Sequence, residues 1–430
     1  MQEKKLLKYI LPSMIASLFL GVYVLVDGAF IGSKMGDIGL TAINLAWPIT
    51  AFIQSVGLAI GISGGIRLSI AEGKNDEEQY NRIFNSTMIL LLIISVLFTI
   101  LFIIIGGPLL KLSGASGNLY DLGMRYLMIM IYGSVFQVFS GGLVPLLKNV
   151  GKAKRAMFIS ISGTLVNCLL DYLLIFVFEY DLLGAALASI CCQGVIAILS
   201  FISLKPKFRF KNIEVTKILI GAIAPFILNY SYAIITILNN TFCLKFGGES
   251  AVACYTIFSY LLYIVQASAS GSGDGVQPLI SYYYGKSDFK NMYKTYFKSL
   301  ILGLSFSSIL IFTFLILKRQ IPVFYNLSDV ALEYYNDGFY YYFIAFFLLV
   351  ITRINGCFLY SSNNIKESNL LTLLEPVVIT PLSLIPLAYV SGVKGIFGSF
   401  LLIQAILLII SIILVYVKRK HSYANCQISS

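Results

Sequence analysis

Long apolar stretches alternate with short polar ones along the whole 430-residue chain. Runs long enough to cross a bilayer, about 20 residues, fall at 9–33, 41–68, 84–110, 123–147, 156–178 and 183–204. A second set follows at 216–244, 250–283, 296–317, 335–360, 369–391 and 395–417. The pattern predicts twelve membrane helices, called here the first to twelfth spans.

Three short motifs recur at a nearly constant offset. Leu11-Pro12 is matched by Ala224-Pro225. Gly73-Lys74-Asn75-Asp76 is matched by Gly285-Lys286-Ser287-Asp288. Leu183-Gly184-Ala185 is matched by Lys394-Gly395-Ile396. The offsets of 213, 212 and 211 are close to half the chain and point to a duplication. Each half holds an even number of spans, so both insert the same way round, related by a pseudo-twofold axis along the membrane normal. The expected fold is an all-α membrane protein of two six-helix lobes flanking a central cleft. The expected limits are 1–204 for the N-terminal lobe, 205–217 for a cytoplasmic linker, 218–417 for the C-terminal lobe and 418–430 for a cytoplasmic tail.

Composition agrees with the pattern: 58% of residues are hydrophobic, 12% are charged, and mean hydropathy is +0.85. A soluble domain carries about 25% charged residues. The first apolar run is too long for a signal-peptide core and reads as a retained helix. The net charge of +11 does not mark a nucleic-acid binder, since the cations sit in short loops between apolar runs. Of 31 Lys and Arg, 22 lie in the N-terminus, the loops after even-numbered spans and the C-terminus, and 7 lie in the opposite loops. That asymmetry places both termini in the cytoplasm. The seven cysteines mostly fall in apolar runs without metal-ligand spacing, and the single histidine, His421, is in the polar tail. Zinc and histidine chemistry are therefore not expected.

A carboxylate deep in a membrane helix costs about 2.5–3.5 kcal/mol even on insertion scales, and marks function by default. Asp27 occurs in the first span with Tyr23 one turn before it. Asn167 and Asp171 share one face of the fifth span. Ser189 lies in the sixth. Two carboxylates, an amide and a hydroxyl suit a hard cation such as Na+, and the paired carboxylates equally suit a proton. Pro12, fifteen residues before Asp27, can seed a bend. In the second half Asp274 stands in a Gly-rich stretch, Glu375 precedes Pro376, and Arg353 can neutralise either. Together with Gln277, Asn229, Asn239 and Asn240 these are candidates to line a cavity for organic cations.

Gly151-Lys152-Ala153-Lys154, Asn167-x-x-x-Asp171-Tyr172-Leu173-Leu174-Ile175-Phe176 and Gly184-Ala185-Ala186 resemble the fourth-to-sixth-span region of multidrug and toxic compound extrusion (MATE) transporters, on their bacterial DinF- and MepA-like side. The Asn239-Asn240 pair and Gly275-Val276-Gln277-Pro278-Leu279-Ile280 resemble the seventh- and eighth-span region. The resemblance implies a non-enzymatic antiporter of the bacterial inner membrane, a monomer in lipid. It would need no cofactor and bind no nucleic acid, and would export small organic, cationic drugs against H+ or Na+. It also implies a coupling site at Asp27, Asn167, Asp171 and Ser189, where Ser replaces a family Thr. Tyr23 and Pro12 match the residues associated with bending of the first span. The acidic residues of the seventh and tenth spans in some sodium-coupled members have no counterpart, since 216–244 and 338–360 contain no Asp or Glu. A lipid-linked oligosaccharide flippase is the alternative transport reading. An intramembrane enzyme would need a catalytic dyad or metal motif that the chain lacks.

Overall fold

The computed structural model describes residues 2–113, 115–204, 214–324 and 327–428. Side chains 1–8, 18, 20, 22–26, 28–29, 32–33, 36–38, 40–41, 44, 249, 253 and 421–428 lie outside that description, and with them that of Tyr23. Nine helices among the described residues are long and apolar enough to cross a membrane. Gly117–Tyr132 and Ser134–Asn149 form a tenth span bent by 56° at Gly133. The remaining two crossings are hidden inside longer helices. Gln2–Gly73 is 72 residues and would extend about 108 Å if straight, against a hydrocarbon core of about 30 Å. It therefore holds the first span as well as Leu45–Gly73. The run Ile365–Lys420 is broken at Gly392 (φ 57°, ψ −136°), a left-handed position that separates the eleventh and twelfth spans. Twelve spans result, as the apolar pattern predicts.

The chain divides into two compact units, Met1–Phe226 and Ile227–Ser430. In the first, Ile53, Leu91, Val138 and Leu143 are fully enclosed. The second and fourth spans meet there backbone to backbone. A Cβ on Gly61 would stand 2.1 Å from the Gly142 carbonyl oxygen, and one on Gly57 would stand 2.5 Å from that of Val138. Only glycine allows this approach, the small-residue packing by which membrane helices gain contact without a hydrophobic driving force. The first turns of the seventh span, Val215–Gly248, belong to this unit. Ser63 donates to the Ile218 carbonyl (2.7 Å), Arg67 to that of Lys217 (2.8 Å), and Arg82 pairs with Glu214 (2.8 Å).

The second unit has an aromatic core. Phe258 stacks on Tyr342 (centroids 4.3 Å apart, 8° between planes) and Tyr342 on Phe400 (4.7 Å). Its helices are the rest of the seventh span, Ser250–Gly285, Phe289–Ile316, the short Gln320–Phe324, Asp329–Ser361 and the Ile365–Lys420 run. Large apolar side chains face outward in both units, as lipid allows: Ile104 and Ile309 are examples.

One repeat motif has the same local structure in both halves. Asn75 and Ser287 both adopt φ 57°. The following aspartates cap the next helix alike: Asp76 accepts from the Gln79 N–H (2.9 Å) and Asp288 from that of Asn291 (3.1 Å). A left-handed residue followed by an Asp cap turns the chain sharply between antiparallel spans.

Candidate functional site

In the first unit the fifth span brings Asn167 and Asp171 to the interior, where both are essentially inaccessible. Asp171 ends the regular helix. Tyr172–Val177 continues as a π-helical turn, closed by the Phe178 N–H on the Leu173 carbonyl (2.9 Å) and the Tyr180 N–H on that of Leu174 (2.8 Å). Such turns concentrate at functional sites, because the extra residue re-aims neighbouring side chains. The sixth span, Asp181–Leu204, lies tightly against it. A Cβ on Gly184 would come within 3.0 Å of the Leu174 backbone, which explains the small residues of the Gly184-Ala185-Ala186 motif.

The Asp27 carboxyl approaches that of Asp171 within side-chain hydrogen-bonding range. Neither carboxylate has a donor to offer the other, so a bond between them requires a proton. Without one, Asp27 Oδ1, both oxygens of Asp171, and both Oδ1 and Nδ2 of Asn167 are buried with no hydrogen-bond partner among the described residues. A buried unpaired carboxylate is among the most unfavourable groups a fold can carry. Four of these five atoms are oxygens, three of them from carboxyl groups, and that set favours a positive partner. Oxygen donors at this density suit a proton or an alkali cation, not a soft metal. No group of three His, Cys, Asp or Glu residues arranged for a metal ion occurs among the described residues. Ser189 is buried on the sixth span, one turn before Cys192, which is within electrostatic range of both aspartates.

Tyr126, buried on the bent fourth span, stands within electrostatic range of both Asp27 and Asp171. Sequence reading missed it. It is one of 28 tyrosines, and nothing in its neighbours sets it apart. Pro12 lies well inside Gln2–Gly73, not at the start of the helix.

The second unit treats its carboxylates differently. Arg353 donates to the Leu228 carbonyl (2.8 Å) and faces Glu375 at 3.6 Å, while Gln404 donates to the other Glu375 oxygen (3.3 Å). Glu375 opens a second π-helical turn, Glu375–Ile379, where Pro376 removes a regular backbone bond. Asp274 accepts from the Tyr360 hydroxyl, which also contacts the Cys357 sulfur (3.0 Å). Gln277 donates to Ser281 (3.1 Å), which donates to the Ser361 carbonyl (2.8 Å). Asp274, Gln277, Arg353 and Glu375 are thus tied into the packing of the seventh to twelfth spans. Asn239 bonds the Ile235 carbonyl of its own helix (2.9 Å), and Asn240 Oδ1 is buried without a partner among the described residues. Both lie eleven or twelve residues beyond Leu228, about 17 Å along the span. Asn229, beside Leu228, has an interaction of its own.

A polytopic bundle of twelve spans, with an orphaned carboxylate pair inside one unit, defines a membrane transporter. Two blocks of the chain, residues 12–173 and 222–385, match the MatE family model, one in each half. The protein belongs to the MatE family, a family of transporters and not of enzymes. It is 26% identical to the multidrug export protein MepA of Staphylococcus saprophyticus, over 97% of this chain and 94% of that one. The MepA of Staphylococcus aureus strain MSSA476 is 25% identical with the same coverage. Among solved structures, an outward-facing multidrug resistance MATE family transporter of the MOP superfamily superposes with a TM-score of 0.90 at 18% identity, covering 98% of this chain and 96% of that one. The MATE multidrug transporter DinF-BH gives 0.84 at 23% identity, covering 97% and 96%.

Proposed function

We propose that this MatE protein is a cation-coupled antiporter that exports small organic, cationic compounds from the cytoplasm. The observation carrying the coupling is the contrast between the two units. The carboxylates inside the second, Asp274 and Glu375, have partners within the chain, while Asp27, Asn167 and Asp171 of the first leave buried polar atoms unpaired. A buried charge with no partner is stable only when an external cation supplies one. H+ and Na+ both meet that requirement. Ser189 and Tyr126 complete the shell, and the π-turn after Asp171 allows the fifth span to adjust as the ion enters or leaves.

Coupling follows from linkage. An ion that binds one conformational state more tightly than another shifts the balance between them by that difference. In this reading the repeat-related six-span halves, 1–204 and 218–417 joined by 205–217, alternate their access to the two faces. The termini stay in the cytoplasm, the monomer is the working unit, and Pro12 permits the first span to bend. The drug-export reading is supported by the MepA relatives, whose names describe multidrug export. The polar groups Asn229, Asn239 and Asn240 of the second unit are proposed to face the substrate.

The test is dye efflux in inverted membrane vesicles with an imposed pH or Na+ gradient. Wild type is expected to accumulate a cationic dye when the gradient is applied, and D27N to lose that response. Undiminished gradient-driven accumulation in D27N would overturn the site.

A further inference from the structure

The ninth span, Phe289–Ile316, sorts its residues by face with unusual clarity. Met292, Thr295, Tyr296, Ser299, Gly303 and Ser307 are buried against the bundle. At 100° per residue, Lys290, Lys294 and Lys298 fall together on the opposite side. They are one turn apart, and Ile301, Ile309, Phe312 and Ile316 continue the same face. Those four are the most exposed large apolar side chains of this span, Ile301 at 63% and Ile316 at 76%. A single outward face is therefore cationic for its first turns and apolar for the rest.

The dimensions fit a bilayer, a headgroup region followed by most of a hydrocarbon core about 30 Å thick. Lys290 to Lys298 spans about 12 Å, and Ile301 to Ile316 about 23 Å. The junction between charge and apolar surface is set one turn beyond Lys298, where long lysine stems can reach back to the headgroups. Asp288 is the sole Asp or Glu between residues 275 and 328. Its oxygens are engaged by the Asn291 backbone N–H (3.1 Å) and side-chain amide (2.6 Å). The end of the twelfth span adds further cations. Arg419 rests its guanidinium over the rings of Tyr293 (5.8 Å) and Phe297 (5.6 Å), beside the lysine face. Lys420 follows it, and Lys418 is paired with Glu367 (2.5 Å).

We infer that the lysine face of the ninth span, completed by Arg419, is a binding surface for anionic phospholipid at the cytoplasmic leaflet. Topology alone asks only for cations somewhere in the cytoplasmic loops. It does not ask for three at four-residue intervals on the face that continues into the acyl layer. A diester phosphate with two acyl chains matches both parts of that face at once. A free phosphate matches only the first.

The proposal is tested on full-length protein in detergent, by native mass spectrometry with dioleoyl phosphatidylglycerol or dioleoyl phosphatidylcholine added in increments. Wild type is expected to take its first phosphatidylglycerol far more tightly than phosphatidylcholine. A surface charge is worth about fivefold in affinity for anionic lipid, so K294Q should weaken that first binding about fivefold, and K290Q/K294Q/K298Q about a hundredfold. K290R/K294R/K298R should retain it, as should K74Q/K366Q, which removes cytoplasmic cations from other spans. Equal affinity of wild type for the two lipids, or an unchanged preference in the triple glutamine variant, would overturn the proposal.

Discussion

Replacing Asp171 by Asn removes one of two neighbouring buried carboxylates while keeping shape and volume. In the ion-free protein the change is favourable. At 4 Å and an effective dielectric constant near 20, two like charges repel by about 4 kcal/mol, and Asp27 and Asp171 are close enough to share a proton. Even half of that relief, about 2 kcal/mol, raises the melting temperature of a membrane protein by a readable few degrees. With a cation present the sign reverses. The ion in D171N meets one carboxylate instead of two, loses a Coulomb attraction of the same size, and binds about a thousandfold more weakly. The assay is thermal unfolding in detergent across a series of Na+ concentrations and of pH. Wild type should gain stability as the occupying cation is added. D171N should start higher and stay flat. A variant less stable than wild type without the ion, yet still stabilised by it, would refute the reasoning.

Other expectations concern the scaffold. R353Q strands Glu375 as an uncompensated buried charge and should cost about 3–5 kcal/mol, lowering the melting temperature and purified yield, while R353Q/E375Q should recover most of the loss. A G61V side chain would run into the Gly142 backbone from 2.1 Å, so monodisperse protein should disappear on size-exclusion chromatography. The Lys34–Glu179 pair, 3.1 Å long with the glutamate largely exposed, should show a coupling below about 1 kcal/mol in a double-mutant cycle of melting curves, falling further with salt.

Much of this architecture is legible in the sequence because lipid imposes one rule on every span. The apolar runs mark twelve crossings, and the Gly-Lys-x-Asp repeat marks a turn that both halves fold alike. Asn167 and Asp171 announce themselves because a carboxylate in such a run has few excuses. What escapes is whatever depends on neighbours distant in sequence. The bend at Gly133 lies within one uninterrupted apolar run. The π-turn after Asp171 carries no proline to mark it. Tyr126 gains its place only when the fourth span meets the first and fifth. The satisfied state of Glu375 rests on Gln404, twenty-nine residues away, and on Arg353, which reading the sequence could pair equally with Asp274. The half-buried Asp274 accepts from Tyr360 instead.

The glycine seam between the second and fourth spans has a mechanical consequence. Where side chains separate two helices, a rotamer change lets one slide or roll on the other. At Gly57 and Gly61 no side chain intervenes, and backbone rests on backbone. Interiors packed this closely are bistable at best and do not deform gradually. The seam therefore has one geometry, and those two spans serve as a fixed post. Any motion coupled to the proposed ion site must therefore be taken up away from this seam, as at the π-turn that follows Asp171 in the fifth span.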